Sequence, residues 1–187
     1  MKKKIALFST KLDIGGIERA AINYVNLIDK TKYDVTLFLE KKGGAFQNEV
    51  SSDVKIVNFN QSNHKNPLIR KILNAYKLFS FKIKYRNKFD FAANFGSCVK
   101  SGAILCKSFS SNNAYWIHGH LWKDEEEAIA FIQKYHVNEY QKIVFVSNRV
   151  KESYQEFFPD SKQKLFVMNN PIDYNDVLIK SKKKIMI

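Results

Sequence analysis

Seven short apolar runs alternate along the chain with segments in which apolar residues recur every three or four positions. The runs cover residues 5–8, 35–39, 54–59, 91–95, 114–117, 143–146 and 165–168. They are typical of strands buried on both faces, and the intervening segments are typical of helices. Regular alternation of the two predicts an α/β fold with a doubly wound parallel sheet in one domain.

The predicted helices differ in length and charge. The first spans residues 17–28, a short one lies within 43–51, and a long basic one covers 68–88. Another follows the turn at 96–97 and holds both cysteines, Cys98 and Cys106. A further helix opens with the acidic residues 124–127, and the next stops at Pro159. The tail, residues 180–187, moves from lysines into an apolar run and predicts the start of another strand.

The chain is strongly basic, with 31 Lys and Arg against 18 Asp and Glu and a net charge of +13. Such a charge attracts anionic partners, although a lysine-rich genome would give the same composition. Two cysteines in 187 residues make no disulfide framework and offer no zinc-binding spacing. We therefore expect a reduced, cytoplasmic setting.

The first candidate site is the loop after the first predicted strand, Gly15-Gly16-Ile17-Glu18-Arg19. Ligands of a doubly wound sheet bind beyond the carboxyl ends of its strands. Glycines there let the backbone approach a ligand, and the following helix directs free N–H groups at a phosphate. The third glycine of the dinucleotide-binding pattern is absent, and a simple tight turn would explain the same residues.

Polar residues also follow four later strands. His118 ends the fifth, and Ser97, Ser147 and Asn170 follow the fourth, sixth and seventh. An imidazole at this edge can hydrogen-bond a sugar hydroxyl or a phosphate. The alternatives are a histidine satisfied in the core, a chance metal pair with His120, and an ordinary turn at Asn170-Pro171.

These stretches, in this order, resemble the N-terminal domain of glycosyltransferase family 4. The resemblance rests on the glycine pair with Glu18-Arg19, on His118, on Ser147 after a valine strand, and on the run Asn170-Pro171-Ile172-Asp173. It covers nearly the whole chain and implies a Rossmann-like domain that forms one half of a GT-B fold. By this resemblance, residues 1–175 are the acceptor-side domain, and 176–187 begin the connection to a second domain.

The resemblance implies an enzyme that transfers a sugar from a nucleotide donor with retention of configuration and without a metal or other cofactor. The implied acceptor is a glycan or lipid-linked molecule in the synthesis of cell-surface glycans. It implies that His118 contacts the transferred sugar, while Gly15 and Gly16 approach the phosphates and acceptor. Looser roles in substrate binding are implied for Glu18, Arg19, Ser97, Ser147 and Asn170.

One feature of the family is missing. Its second domain carries two glutamates eight positions apart, and no pair of glutamates here has that spacing. We therefore expect the partner of this chain to be a missing C-terminal GT-B domain, and we expect the chain alone to be inactive.

The long basic helix supports a second hypothesis, a domain without catalytic activity that docks on an anionic membrane. It carries seven cations, Arg70, Lys71, Lys77, Lys82, Lys84, Arg86 and Lys88, beside the aromatic residues Phe79, Phe81 and Tyr85. A helix with a solvated polar face would look the same. Docking and catalysis are compatible at the inner face of the plasma membrane. Only charge favours nucleic acid, so we expect no nucleic-acid partner.

Overall fold

A computed structural model of the chain describes residues 1–96, 98–119 and 122–182. Within these ranges, seven parallel strands form one sheet in the order β3-β2-β1-β4-β5-β6-β7. The strands are β1 (Lys3–Ser9), β2 (Tyr33–Leu39), β3 (Lys55–Asn58), β4 (Phe91–Asn94), β5 (Asn113–Ile117), β6 (Lys142–Phe145) and β7 (Lys164–Val167). Each predicted strand is confirmed. Burial on both faces explains the apolar runs of the inner strands, such as β1 and β5, whereas the edge strands β3 and β7 are only partly buried.

Six α-helices connect these strands or follow them in the described ranges. They are α1 (Gly16–Leu27), α2 (Pro67–Tyr85), α3 (Lys100–Phe109), α4 (Glu125–Lys134), α5 (Asn148–Phe157) and α6 (Tyr174–Ser181). Two single turns of 3-10 helix occupy Gln47–Glu49 and Val137–Glu139. Three of these helices begin where a side chain accepts from their free N–H groups: Asn66 caps α2, Asp124 caps α4 and Ser147 caps α5, whereas α1 and α3 begin without such a bond.

Two of the helix predictions need correction. The short helix within 43–51 is reduced to the 3-10 turn, and α3 contains Cys106 but begins after Cys98. α6 was not predicted, and it spans the expected domain boundary at residues 175 and 176. The strand expected near the end of the chain falls on residues 183–187, which lie outside the described residues.

The sheet has an apolar cluster on each face. One cluster lies under α2, α3, α4 and α5 and is rich in aromatic rings, including Phe8, Phe38, Phe109, Tyr115 and Tyr154. The other lies under α1 and includes Leu7, Leu37, Phe95 and Trp116. Helices therefore cover both faces, as the doubly wound arrangement requires.

The long helix α2 packs in an unexpected direction. Leu78, Phe81 and Tyr85 contact the core, with ring centroids 5.2 Å apart for Phe59 and Phe81 and 5.1 Å apart for Phe38 and Tyr85. The membrane hypothesis placed Phe81 and Tyr85 on an exposed face, and that assignment is wrong because the aromatic cluster under the helix holds both rings. On the opposite side of the helix, the exposed residues are Ile72, Tyr76, Phe79 and Ile83.

Candidate functional site

The strand order reverses between β1 and β4, which makes the carboxyl ends of these two strands the switch point of the sheet. The backbone N–H groups of Phe95 and Gly96 both donate to the carbonyl oxygen of Phe8, at 3.0 Å each. These two bonds hold the strand ends against each other, and the crevice expected for a ligand begins here. A Cβ on Gly96 would stand 2.7 Å from the Val99 Cγ2, so the glycine leaves room for that side chain.

The glycine loop leads from β1 into α1 on one side of this crevice. Gly15 is the residue that caps α1, and no side chain caps the helix with a hydrogen bond at this position. Its φ of −175° is extended backbone that any residue adopts. No heavy atom lies within 4 Å of the position that a Cβ on Gly16 would take. The backbone of Gly16 is thus open to an approaching ligand.

The carboxylate of Glu18 lies over the start of the same helix. One carboxylate oxygen stands 2.2 Å from the position of a Cβ on Gly15, and the other accepts a hydrogen bond from the Thr10 hydroxyl at 3.3 Å. A carboxylate there interacts favourably with the positive end of the helix dipole. Glu18 thus holds a negative charge at the place where the sequence predicts a ligand phosphate.

Arg19 points away from the crevice towards the 3-10 turn at Gln47–Glu49. Its guanidinium forms two hydrogen bonds with the carboxylate of Glu49, one of them at 3.2 Å, and lies 3.9 Å from the ring centroid of Phe46. The predicted role of Arg19 in substrate binding stays a prediction. The contacts it makes here tie α1 to the loop after β2.

His118 follows β5, one strand away from β4. Its Nε2 atom lies 2.7 Å from the carbonyl oxygen of Phe95, and its ring meets the Phe95 ring at 4.6 Å in an edge-to-face arrangement. Because β4 alone separates β1 from β5, the ends of those strands are about two strand spacings, ~10 Å, apart. His118 and the glycine loop are therefore brought to one edge of the sheet.

Burial fixes the charge of His118, and its hydrogen bond to Phe95 fixes the tautomer. Burial lowers the pKa of the imidazole to about 4, and the hydrogen bond to the Phe95 carbonyl opposes this only in part. A carbonyl oxygen can only accept, so Nε2 carries the proton and Nδ1 is the accepting nitrogen. Nδ1 is buried and has no hydrogen-bond partner among the described residues. A neutral imidazole in this state can accept from a hydroxyl, but it cannot supply positive charge to a phosphate.

The other predicted site residues are less concentrated. Ser147 caps α5, where its oxygen accepts from the N–H of Val150 at 3.3 Å. Asn170 is exposed, and the residues on either side of it are bonded to α1. The Tyr24 hydroxyl donates to the Asn169 carbonyl, and the Asn23 side-chain amide donates to the Pro171 carbonyl. Ser97 lies outside the described residues.

Two polar residues at this edge were missed by sequence reasoning. Ser9 ends β1 and is fully buried, and its hydroxyl has no partner among the described residues. Thr10 holds Glu18. The signal that could have found them is the step from the apolar run 5–8 into two adjacent hydroxyl residues, directly before the glycine loop.

Within residues 1–96, 98–119 and 122–182, His, Cys, Asp and Glu side chains form no group of three that could hold a metal ion. No helix in those ranges has the length and apolar character needed to cross a bilayer.

Several solved structures are similar to this chain in fold. HepE of Anabaena, solved with UDP and glucose, matches with a TM-score of 0.68 and 14% identity over 92% of this chain and 46% of its own. A glycosyltransferase of Rickettsia africae matches with a TM-score of 0.65 and 21% identity over 98% of this chain and 47% of its own. A sucrose-phosphate synthase structure from Thermosynechococcus elongatus matches with a TM-score of 0.54 and 13% identity over 96% of this chain and 95% of its own. A search of curated proteins finds no significant match.

The chain spans about half the length of the first two of these structures, as one half of a GT-B fold would. The family model Glycosyltransferase Family 4 matches residues 14–176, from the glycine loop to the start of α6. That range contains His118, Ser147 and the Asn170–Asp173 run on which the resemblance was based. The chain therefore belongs to glycosyltransferase family 4 and forms a Rossmann-like half of a GT-B glycosyltransferase.

Proposed function

We propose that this chain is the acceptor-side half of a retaining glycosyltransferase that uses a nucleotide sugar. The observation that carries the proposal is that the open Gly16 backbone and the accepting Nδ1 of His118 lie at the same edge of the sheet, at and beside its switch point. A backbone N–H at a helix start suits an anion, and a neutral imidazole suits a sugar hydroxyl. Retention is the stereochemical course that the family resemblance implies.

In this proposal, His118 acts as a positioning residue for the transferred sugar. Its ring is held by the Phe95 carbonyl and the Phe95 ring, so little entropy is lost when Nδ1 accepts from a hydroxyl. Nδ1 is buried, so the atoms that cover it must move aside before contact. The departing diphosphate would instead be met by the N–H groups at the start of α1, after the Glu18 carboxylate has turned away.

The second domain, a glycan or lipid-linked acceptor, and independence from metal all belong to the proposal. Support for a second domain comes from the match to only half of HepE, a protein that was solved with UDP and glucose. Cys98 and Cys106 are unpaired thiols, which suits a reducing, cytoplasmic compartment.

The test is an assay of the complete two-domain enzyme with a panel of nucleotide sugars. We expect release of the nucleoside diphosphate, unchanged by EDTA, and a product that keeps the donor's anomeric configuration by NMR. The 187-residue chain assayed alone should release none. Inversion, or loss of activity with EDTA that a divalent cation restores, would contradict the mechanism.

A further inference from the structure

The side of α2 that faces away from the sheet is apolar along its whole length. Five large side chains recur there at spacings of four, four, three and four residues, which places them on one face of a helix. Between 60% and 70% of each is exposed: Leu68 66%, Ile72 60%, Tyr76 70%, Phe79 62% and Ile83 61%. We name these five residues the outer stripe. They lie opposite Leu78, Phe81 and Tyr85, which already supply the contacts of α2 with the core.

Cations border the outer stripe along one side. Lys71, Lys82 and Arg86 lie along that border, whereas Arg70, Lys77 and Lys84 recur every seven residues on the side of the helix turned away from the stripe. α2 contains no acidic residue. Lys77 is half-buried and donates to the Asn60 carbonyl, whereas Lys71, Lys82 and Arg86 are exposed. An apolar face bordered by lysine and arginine suits the boundary between lipid headgroups and acyl chains.

The basic surface continues past the end of α2 into an open cleft of about 680 Å³. Lys82 and Arg86 line it together with Lys107 and His136. Lys107 pairs with Glu139, which also accepts from His136, so one carboxylate offsets part of this charge. The cleft therefore adds positive charge beside the outer stripe, where an anionic headgroup would lie.

We propose that the outer stripe docks the chain onto an anionic lipid bilayer, with Lys71, Lys82 and Arg86 contacting the headgroups. A second copy of the chain fits this face less well, since each copy would bring the same cations and no acidic residue from α2. An anionic bilayer supplies both the apolar interior for the stripe and the negative charge for its border of cations.

Docking through α2 leaves the candidate site open. α2 joins the carboxyl end of β3 to the amino end of β4, so it runs opposite to the strands. With α2 lying flat on the bilayer, the sheet edge that carries Gly16 and His118 opens sideways, near the Leu68 end of the stripe. The inference goes beyond the proposed transfer reaction, and it can hold or fail without it.

The charge test compares two triple variants of the 187-residue chain. One is Lys71→Gln, Lys82→Gln, Arg86→Gln, and the matched control removes the same charge elsewhere through Lys41→Gln, Lys123→Gln, Lys162→Gln. All six side chains are exposed. In flotation with phosphatidylcholine vesicles containing phosphatidylglycerol, we expect the α2 variant to bind about tenfold more weakly or worse, and the control to keep most of its binding. Equal losses would reduce the effect to net charge and overturn the proposal.

The apolar test uses Ile72→Ser, Ile83→Ser against a control of the same composition, Ile14→Ser, Ile172→Ser. The control side chains are 83% and 74% exposed, so neither pair is core packing. We expect the α2 pair to lose vesicle binding, the control to keep it, and melting temperatures to stay within experimental error. Binding to vesicles of phosphatidylcholine alone should be weak for every form.

Sedimentation in the absence of vesicles tests the competing occupant. We expect a monomer for the wild type and for each variant. A dimer that dissociates in the Ile72→Ser, Ile83→Ser variant, with vesicle binding unaltered, would assign the stripe to a second copy and overturn the proposal. Vesicle binding that survives both α2 variants would overturn it as well.

Discussion

The Nε2 atom of His118 donates to the carbonyl oxygen of Phe95 across a distance of 2.7 Å. This bond joins the ends of two neighbouring strands and leaves Nδ1 as the accepting nitrogen. It separates two roles that one side chain could have: Nε2 holds the ring, and Nδ1 is the atom left for a ligand. The two roles can be tested independently, because an amide side chain can replace one nitrogen and not the other.

The first prediction concerns His118→Gln. The amide nitrogen of glutamine can reach the place of Nε2 and keep the bond to Phe95, but the acceptor at Nδ1 is lost. In the complete enzyme we expect turnover to fall by roughly 10²–10³, the scale of one lost transition-state contact. The melting temperature should change little.

His118→Ala supplies the control, because it loses both the Phe95 bond and the acceptor. We expect the same loss of turnover together with a loss of stability of about 1 kcal/mol from the missing hydrogen bond. Wild-type turnover by the glutamine variant would remove Nδ1 from the mechanism and leave His118 as a structural residue.

The second prediction is a pH dependence of stability. The pKa of His118 is about 4 in the folded chain against its usual 6.5, because burial disfavours the charged ring. Between these values the unfolded chain binds a proton that the folded chain does not, so stability falls as the pH falls through this window. The loss has an upper bound of roughly 3 kcal/mol at about 1.4 kcal/mol per unit.

His118→Gln isolates this effect from the titration of carboxylates. Urea unfolding of both proteins between about pH 7 and pH 4 should give free energies that are similar near pH 7 and separate towards the acid end, since only the wild type loses stability through His118. A constant difference across this range would show that the imidazole charges as easily in the folded chain as in the unfolded one.

Much of the fold follows from the sequence because burial dictates residue type. Each run such as 5–8 or 143–146 is apolar because helices cover both faces of its strand. Glycines and capping residues at 15, 124 and 147 mark helix starts for the same local reasons that the structure displays. The position of the candidate site followed in turn, since all parallel strands end at one edge.

The direction of α2 could not be predicted in the same way. The helix has apolar residues on opposite sides, and the sequence alone does not say whether Phe81 or Phe79 meets the sheet. The aromatic cluster of Phe38, Phe59 and Phe109 decides it, and that cluster forms only when β2, β3 and α3 are in place. The hydrogen bond of His118 could not be predicted either, because its partner is the backbone carbonyl of Phe95, directly after β4.

A third prediction concerns Gly16 and Gly102, two glycines at which an added Cβ would meet different surroundings. A Cβ on Gly16 would meet no atom within 4 Å, whereas a Cβ on Gly102 would stand 2.4 Å from the Asn94 Oδ1 and 2.8 Å from the Phe8 Cβ in the interior. We expect Gly16→Ala to leave stability unchanged or raise it by up to about 1 kcal/mol. Gly102→Ala should lower stability by about 1–3 kcal/mol through overpacking.

The same Gly16→Ala variant tests the open backbone of the loop. If a ligand approaches Gly16 closely, the methyl group should weaken binding or turnover in the complete enzyme without affecting folding. Thermal melts combined with donor titration would measure both. Normal donor and acceptor kinetics in a fully folded Gly16→Ala enzyme would remove this glycine from the site.

A fourth prediction concerns Arg19 and Glu49, whose side chains are 30% and 42% exposed. Because the guanidinium is held by Glu49 and the Phe46 ring, we expect Arg19→Gln and Glu49→Gln to have similar effects on stability. Partly exposed pairs of this kind couple by less than about 1 kcal/mol in a double-mutant cycle. Loss of substrate binding in the Arg19 variant alone would give the arginine a direct role at the site.

The last prediction concerns the Glu18 carboxylate, which lies at the start of α1 where a phosphate is expected. Its negative charge competes with any anion for the free N–H groups of Gly16 and Ile17, and the Thr10 hydroxyl holds it there. We expect Glu18→Gln to bind pyrophosphate more tightly than the wild type, by roughly three- to tenfold, since the charge is removed while the shape is kept. Titration followed by the amide signals of Gly15 and Gly16 would locate the anion as well as measure its affinity. Thr10→Val is the matched variant, because it frees the carboxylate without removing its charge, and it should raise the affinity less. If pyrophosphate leaves both amide signals unmoved in the wild type and in Glu18→Gln, the start of α1 is not an anion site and Glu18 serves the helix alone.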